Sequence, residues 1–110
     1  MSSDIINLKD FEKLDFRIGK VIQAEAIEES DKLIKLEVDF GKETRTILTG
    51  MRQYYQEQDF VGKKLPFLLN LKPRKIMDYE SQGMLLAVDV EGEPILFKPI
   101  KDVPLGSIIR

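Results

Sequence analysis

Alternating apolar and polar residues recur along most of this chain, and a period of two predicts a protein built from β-strands. The clearest example is residues 34–40, where apolar residues at even positions alternate without error with charged residues at odd positions. Residues 16–27 keep the same even phase except at Lys20 and Val21, and the preceding Gly19 predicts a bulge or bend there. The apolar face predicted for this longer strand consists of Phe16, Ile18, Ile22, Ala24 and Ala26.

Further apolar or β-branched runs, bounded by glycine and proline, predict shorter strands. Between two of them, residues 51–60 are rich in helix formers and predict two or three helical turns, closed by Gly62. Asn7 and Asp10 predict one capped turn near the start. The additional predicted strands are 44–49, 65–71, 83–90, 95–97 and 105–109, and residues 83–90 are apolar enough to predict a buried position.

Five strands with a short helix between the third and fourth are the element order of an OB-fold. We therefore predict an all-β fold, a five-stranded OB-fold Greek-key barrel with extra terminal segments. A length of 110 residues predicts one domain, spanning residues 1–110, with the barrel at about 11–90 and terminal segments at 1–10 and 91–110. Because the sequence begins with Met1 and has no linker, we expect a free-standing protein.

The composition narrows the possible chemistry. The chain has no cysteine and no histidine, which removes thiolate nucleophiles, the usual acid–base residue near neutral pH and the commonest zinc ligand. We expect no enzyme activity, no cofactor and no metal. No apolar run approaches the ~20 residues of a membrane helix, and no secretory signal is present, so we expect a cytoplasmic protein that does not bind membranes.

Positive charge is concentrated in one stretch although the net charge is only −2. Residues 63–76 carry five cationic side chains and no carboxylate, whereas both flanking regions are acidic. Local potential determines which partners dock, so this stretch predicts a surface for a polyanion. Its cations are Lys63, Lys64, Lys72, Arg74 and Lys75.

The segment 70–75 combines charge with stiffness. Pro73 fixes one backbone angle and makes Lys72 extended, so the turn loses less entropy on binding. Arg74 can contact two phosphate oxygens or stack on a base. Asn70 has an amide suited to a base edge or a ribose hydroxyl, or to bonding the turn's own backbone. The alternative for the whole turn is a solvated basic loop that only aids solubility.

Several other residues have both a functional and a structural interpretation. Ser81 and Gln82 open the fifth predicted strand and are interpreted either as ligand contacts or as caps of the loop. Met77 is a candidate for packing against a ligand. Lys32, Lys35 and Arg45 extend the basic surface if they share its face, and Asp15 and Arg17 predict an ion pair. Residues 28–31 predict a solvated acidic turn rather than a calcium loop. The aromatic residues Tyr54, Tyr55 and Phe60 are predicted to make core contacts.

Taken together, these motifs closely resemble one family over residues 11–87. It is the tRNA-binding domain found at the C-terminus of bacterial methionyl-tRNA synthetases, in free-standing dimeric tRNA-binding proteins and in related synthetase cofactors. Thr49 stands where the family usually has serine. The segments that carry the resemblance are Asp15-Phe16-Arg17-Ile18-Gly19-Lys20-Val21, Ser30-Asp31-Lys32-Leu33, Leu48-Thr49-Gly50, Tyr55, Val61-Gly62-Lys63-Lys64, Asn70-Leu71-Lys72-Pro73-Arg74-Lys75 and Ser81-Gln82-Gly83-Met84-Leu85-Leu86-Ala87.

The resemblance implies an OB-fold that binds the outer corner of tRNA by shape, without catalysis, and forms a homodimer through its terminal segments. Arg17 is expected to be structural. The implied tRNA contacts are Lys32, Asn70, Lys72, Arg74, Lys75, Ser81 and Gln82. The implied dimer contacts are Ile5, Ile6, Leu8, Ile95, Leu96, Phe97, Ile108 and Ile109.

Two alternatives remain open at this level. Export chaperones of the CsaA type are a related branch of the fold and bind unfolded polypeptides. The chain also resembles a tRNA-capturing appendage of an aminoacyl-tRNA synthetase. The segment 81–87, which is usually altered in the chaperones, is retained here, and this favours tRNA.

Overall fold

The computed structural model describes residues 4–110, and antiparallel strands account for most of its regular structure. A short helix, α1 (Leu8–Glu12), precedes the first strand, and one 3-10 turn (Glu57–Asp59) lies between the third and fourth strands. The strands are β1 (Phe16–Ala26), β2 (Ile34–Asp39), β3 (Thr44–Thr49), β4 (Lys64–Leu68), β5 (Arg74–Ile76), β6 (Tyr79–Ser81), β7 (Met84–Leu85), β8 (Val88–Val90), β9 (Glu93–Ile95) and β10 (Ile108–Ile109).

The main sheet has the order β3-β2-β1-β4-β7, with β10 also paired to β1. The first half of β1 pairs with β4 and the second half with β2, and only Lys20 pairs with both. A strand shared in this way has to curl, so the sheet closes toward a barrel around one core. The predicted all-β, OB-like barrel is therefore confirmed.

The bend predicted in β1 is present as a β-bulge between Val21 and Gln23. Val21 is fully buried before the bulge, whereas the bulged Ile22 is 49% exposed. The prediction that Ile22 belongs to the buried face was wrong, because the extra residue changes which side chains point inward. Gly19 lies inside the curl, where an added Cβ would be 2.5 Å from the Phe40 ring.

The core lies inside the curled sheet and is closed by the segment between β3 and β4. Phe60 and Phe67 are fully buried, and the Phe67 ring meets the Phe40 ring edge-on at 5.4 Å. An edge-to-face arrangement of this kind suits the aromatic quadrupole. The other fully buried side chains are Val21, Ile27, Ile34, Leu36, Val38 and Ile47.

The predicted two- or three-turn helix at 51–60 was wrong. The backbone makes one turn after Met51 and becomes extended at Gln56, before the 3-10 turn begins. The guanidinium of Arg52 donates to the carbonyls of Ile27 and Ser30, which anchors the segment across the end of the barrel. A short segment has little helical stability of its own, so these tertiary contacts set its path. Phe60 and Tyr55 pack into the core as predicted, but Tyr54 is 49% exposed.

The single buried strand predicted at 83–90 is divided in the structure. β7 pairs with β4, and the Leu86 N–H still reaches the Pro66 carbonyl at 3.0 Å. The chain then leaves the sheet, and β8 pairs only with β9. Val88 and Val90 are consequently half exposed. A run of apolar residues does not reveal where a partner strand ends.

The C-terminal segment is bonded along β1. The Ile18 N–H donates to the Ser107 carbonyl at 3.0 Å, and the Gly106 N–H donates to the Ile18 carbonyl at 2.8 Å. The predicted dimer segments still expose apolar side chains, including Ile5, Ile6, Leu8, Phe97 and Ile108. Residues 1–3 of the predicted N-terminal segment lie outside the described residues.

Candidate nucleic-acid interface

The basic turn leads into a β-hairpin, β5–β6, that sequence reasoning missed. Two three-residue runs flank the loop Met77-Asp78, which lacks the glycine that usually marks so tight a turn. Met77 adopts a left-handed backbone, with φ 58°, and is half exposed at the tip. A non-glycine residue in this conformation carries a cost of roughly 1–2 kcal/mol.

The hairpin separates the predicted cations. Arg74 is opposite Ser81 and Lys75 is opposite Glu80, so Arg74 and Lys75 lie on opposite faces. Lys72 lies in the preceding turn, and all three cations are exposed. Within residues 4–110, none of the three has a hydrogen bond or an ion pair from its side chain to another residue. Their charges therefore remain available to a partner.

Ser81 joins the hairpin to β3 and is not at the surface. Its side chain is 3% exposed, and its hydroxyl accepts from the Leu48 N–H at 3.0 Å and donates to the Gly83 carbonyl at 2.9 Å. Ser81 thus supplies an acceptor where a neighbouring strand would supply a carbonyl. Its position fits the structural alternative of the two interpretations from sequence.

Gln82 continues this connection one residue later. Its backbone N–H donates to the Thr46 carbonyl at 2.9 Å, and its side-chain carbonyl accepts from the Thr46 N–H at 3.0 Å. The side chain is exposed, and its amide nitrogen remains a possible donor to a ligand. Together with Ser81, it closes the gap between β3 and β7.

Gly83 permits this closure because of its backbone and its lack of a side chain. Its φ is 149°, and an added Cβ would lie 2.9 Å from the Leu68 carbonyl oxygen. Any other residue would push β7 away from the end of β4.

Two cations on the sheet have different roles. Arg45 donates to the carbonyls of Leu69 and Gln82 at 2.7 and 3.0 Å and pairs with Glu43, so it strengthens the closure. The Lys35 ammonium lies 5.4 Å above the centre of the Tyr79 ring on β6. This cation–π contact places Lys35 beside the hairpin.

Asn70 is bonded to the chain that enters β1. Its amide nitrogen donates to the Lys13 carbonyl at 2.5 Å, and its carbonyl oxygen accepts from the Asp15 N–H at 2.8 Å. Arg17 pairs with Asp15 and donates to the Gly106 carbonyl, so the predicted ion pair is confirmed. Asn70 therefore fixes where the basic turn begins.

The structure does not bring all the predicted residues together. Lys32 is exposed in the loop between β1 and β2, three residues before Lys35. Lys63 and Lys64 lie at the start of β4, whereas Lys72 follows its other end. At about 3.3 Å per residue, the five residues of β4 separate the two groups by roughly 16 Å. The prediction that the cations of residues 63–76 form one basic surface was therefore wrong, because they lie near the two ends of β4.

Within residues 4–110, no group of acidic side chains is arranged to hold a metal ion. The acidic turn 28–31 is bonded to Arg52 through the Ser30 carbonyl. In the same described part of the chain, no helix is long and apolar enough to span a membrane.

Comparison with solved structures supports the fold. A methionyl-tRNA synthetase (MetRS) related protein from Pyrococcus horikoshii is 40% identical, with a TM-score of 0.93 over 97% of this chain and 99% of that one. The chaperone CsaA from Bacillus anthracis is 29% identical, with a TM-score of 0.88 over 97% of this chain and 100% of that one. The curled barrel fold therefore has counterparts in both kinds of protein.

Comparison of sequences identifies the family. Methionine–tRNA ligase from Caldanaerobacter subterraneus is 44% identical over 106 residues, which are 96% of this chain and 17% of that enzyme. The chain thus spans about a sixth of such relatives. Residues 16–108 match the family model described as "Putative tRNA binding domain". On the strength of this match, which runs from the start of β1 to the first residue of β10, the chain belongs to the family of tRNA-binding domains.

Proposed function

We propose that this protein binds tRNA without catalysis, as a homodimer, and grips the outer corner of the molecule by its shape. The carrying observation is the exposed hairpin β5–β6, whose cations Lys72, Arg74 and Lys75 have no protein partner in residues 4–110. The family match supports RNA as the partner. The proposed setting is the cytoplasm.

The proposed contacts have separate roles. Lys72, Arg74 and Lys75 neutralise phosphates, and Lys32 and Lys35 extend the surface toward β2. The Gln82 amide donates to a base edge or a 2′-hydroxyl, and Met77 packs on the RNA at the hairpin tip.

Asn70 and Ser81 position this surface and do not touch the RNA. Their side chains are already bonded to backbone groups of the barrel. The hairpin is therefore ordered before binding, which reduces the entropy lost in the complex.

The affinity is expected to depend strongly on salt. If about five phosphates are neutralised, raising the salt from 50 to 200 mM weakens binding on the order of 10²-fold. The test is filter binding of unfractionated tRNA at several salt concentrations, with duplex DNA as competitor. Submicromolar binding that duplex DNA displaces poorly is expected, since the surface is proposed to select shape.

Charge-matched variants locate the contact. The hairpin variant carries Lys72→Gln, Arg74→Gln and Lys75→Gln, and the control carries Lys9→Gln, Lys42→Gln and Arg110→Gln, which are also exposed. Losing three phosphate contacts is expected to reduce the slope of log K against log salt by about two. The control should keep the original slope. Equal slopes in the two variants would exclude the hairpin as the contact.

Dimerisation is proposed to use the exposed apolar residues of the terminal segments, including Ile5, Phe97 and Ile108. Contiguous exposed apolar surface commonly marks a contact between proteins. A symmetric pair would also present two RNA-binding faces, which raises the apparent affinity for a ligand that reaches both.

A second candidate function is binding of unfolded polypeptides, supported by the likeness to CsaA from Bacillus anthracis. Denatured protein is therefore included as a competitor in the filter assay. Displacement of tRNA by denatured protein, or binding of denatured protein alone, would favour this candidate.

The likeness to part of a methionine–tRNA ligase supports a further proposal about partners. According to this proposal, the protein delivers tRNA to an aminoacyl-tRNA synthetase. Faster aminoacylation at low tRNA concentration on adding the protein would support this role.

A further inference from the structure

We propose that a second basic surface, the lysine cleft, contacts another stretch of the same RNA's phosphate backbone. The cleft lies beside the start of β4, has a volume of about 470 Å³, and includes five lysines with one carboxylate, Asp102, among its lining residues. The inference rests on the proposed function. The lysines are Lys20, Lys63, Lys64, Lys98 and Lys101.

Three segments distant in sequence bring these charges together. Lys20 comes from β1, the pair Lys63-Lys64 begins β4, and Lys98 and Lys101 belong to the loop before β10. Lys20 and Lys64 are directly opposite each other in the β1–β4 ladder. Like charges in this position destabilise a sheet, and Asp39 flanks Lys20 only on its β2 side. Asp102 pairs with Lys64 and offsets part of this repulsion, and a bound anion would offset more of it.

Two of the lysines hold the cleft in shape. The Lys64 ammonium lies 2.7 Å from a carboxylate oxygen of Asp102 and 2.6 Å from the Val103 carbonyl. The Lys63 ammonium donates to the Asp59 carbonyl at 3.0 Å. The two Lys64 bonds fix the loop 98–103 against β4, and the Lys63 bond ties the start of β4 to the 3-10 turn.

The other three lysines are available to a ligand. Within residues 4–110, the ammonium groups of Lys20, Lys98 and Lys101 have no hydrogen bond or ion pair, and all three side chains are exposed. The Lys64 hydrogen bond and charge, with a smaller contribution from Lys20, lower the pKa of Asp102 below its usual 3.8. The cleft therefore has a net positive charge, because Asp102 is the one carboxylate among five lysines in its lining.

The shape and lining favour a phosphate backbone over a nucleotide. No aromatic side chain lines the cleft, so nothing there stacks a base. Lysine ammonium groups around an open cleft can bind backbone phosphates whatever the base sequence is. Such a contact would position the RNA and would not select its sequence.

The spacing favours one RNA molecule spanning both surfaces. The five residues of β4 separate the cleft from the chain that leads to the hairpin by roughly 16 Å, a distance that the backbone of one RNA molecule covers readily. Once the RNA is held at the hairpin, the cleft meets it at high effective concentration. Weak phosphate contacts then add to the affinity.

The first test compares salt dependence among variants of the full chain. The cleft variant carries Lys20→Gln, Lys98→Gln and Lys101→Gln, and leaves Lys64 and its bonds intact. Its slope of log K against log salt is expected to fall by about two, with tenfold or greater loss of tRNA affinity at low salt. The control Lys9→Gln, Lys42→Gln and Arg110→Gln should match wild type. Light scattering checks that both variants keep the wild-type mass.

The second test uses the unmodified protein, so it does not depend on how a variant folds. Lysines are acetylated with and without tRNA, and each site is quantified by mass spectrometry. Protection of Lys20, Lys98 and Lys101, with Lys9 and Lys42 unaffected, is expected. Protection of Lys72 and Lys75 alone would overturn the cleft and leave the proposed function intact. Absence of any tRNA binding would overturn both.

Discussion

The hydroxyl of Ser81 lies 3.0 Å from the backbone nitrogen of Leu48 and accepts its hydrogen bond inside the barrel. One side chain therefore takes the place of a strand carbonyl, and the hairpin β5–β6 is attached to β3 through it. The family resemblance implied a tRNA contact for Ser81, whereas its burial and its two hydrogen bonds fit the structural alternative that the sequence left open.

Ser81→Ala is expected to lower the free energy of unfolding by about 1–3 kcal/mol, because the buried Leu48 N–H loses its acceptor. Ser107→Ala is the matched control: its hydroxyl donates to the Pro104 carbonyl at an exposed site, and the expected loss is below about 1 kcal/mol. Urea denaturation measures both. Equal losses of unfolding free energy would show that the buried hydrogen bond to Leu48 stabilises the fold no more than the exposed one does.

Met77→Asn tests the hairpin tip. Asparagine tolerates the left-handed backbone at this position, so the stability is expected to change by less than about 1 kcal/mol. The tRNA affinity should fall several-fold because the apolar contact is lost. Ile22→Asn, which replaces another half-exposed apolar residue, should leave the affinity unchanged. A wild-type affinity for Met77→Asn would remove Met77 from the proposed contacts.

Thr49→Val is expected to stabilise the protein by about 1 kcal/mol. The Thr49 hydroxyl oxygen is buried and has no hydrogen-bond partner within residues 4–110, and valine keeps the shape without the desolvated polar atom. Thr46→Val is the opposite case, because the Thr46 hydroxyl donates to Glu37 at 2.8 Å. Thermal unfolding should show shifts of opposite sign, and a loss in both variants would contradict this account of Thr49.

Phe97→Asp combined with Ile108→Asp tests the dimer. Both side chains are about half exposed in the terminal segments, and charges there would oppose an apolar interface. Light scattering is expected to give twice 12.7 kDa for wild type and 12.7 kDa for the variant. Ile22→Asp, outside those segments, should remain dimeric. A monomeric wild type at micromolar concentration would rule the dimer out.

Acid is expected to weaken the contact between β4 and the loop before β10. The Lys64 ammonium lowers the pKa of Asp102 in the folded state, so the ionised pair stabilises the fold above the unfolded pKa of about 3.9. That contribution disappears as the pH falls through the lowered folded value. Asp102→Asn should therefore be less stable than wild type at pH 7, with the difference narrowing below about pH 4. A constant difference down to pH 2 would contradict the pairing.

The sequence by itself determined the first three strands, the barrel class and the family. Alternation at 34–40 and the phase change near Val21 are local signals, so β2 and the bulge were readable without a structure. It also predicted the ion pair between Asp15 and Arg17, because these two residues are only two positions apart in the sequence.

Only the tertiary structure decided how the cations are grouped. Residues 63–76 are contiguous in sequence, but β4 is extended and carries Lys64 and Lys72 to opposite ends of the sheet. Strand pairing then brings Lys20 to Lys64, and the loop before β10 brings Lys98 and Lys101. The path of 51–60 and the exposure of Val88 were decided in the same way, since both depend on partners remote in sequence. The alternation of apolar and polar residues along the sequence indicates whether a side chain is buried or exposed. The fold determines which exposed side chains lie on the same surface.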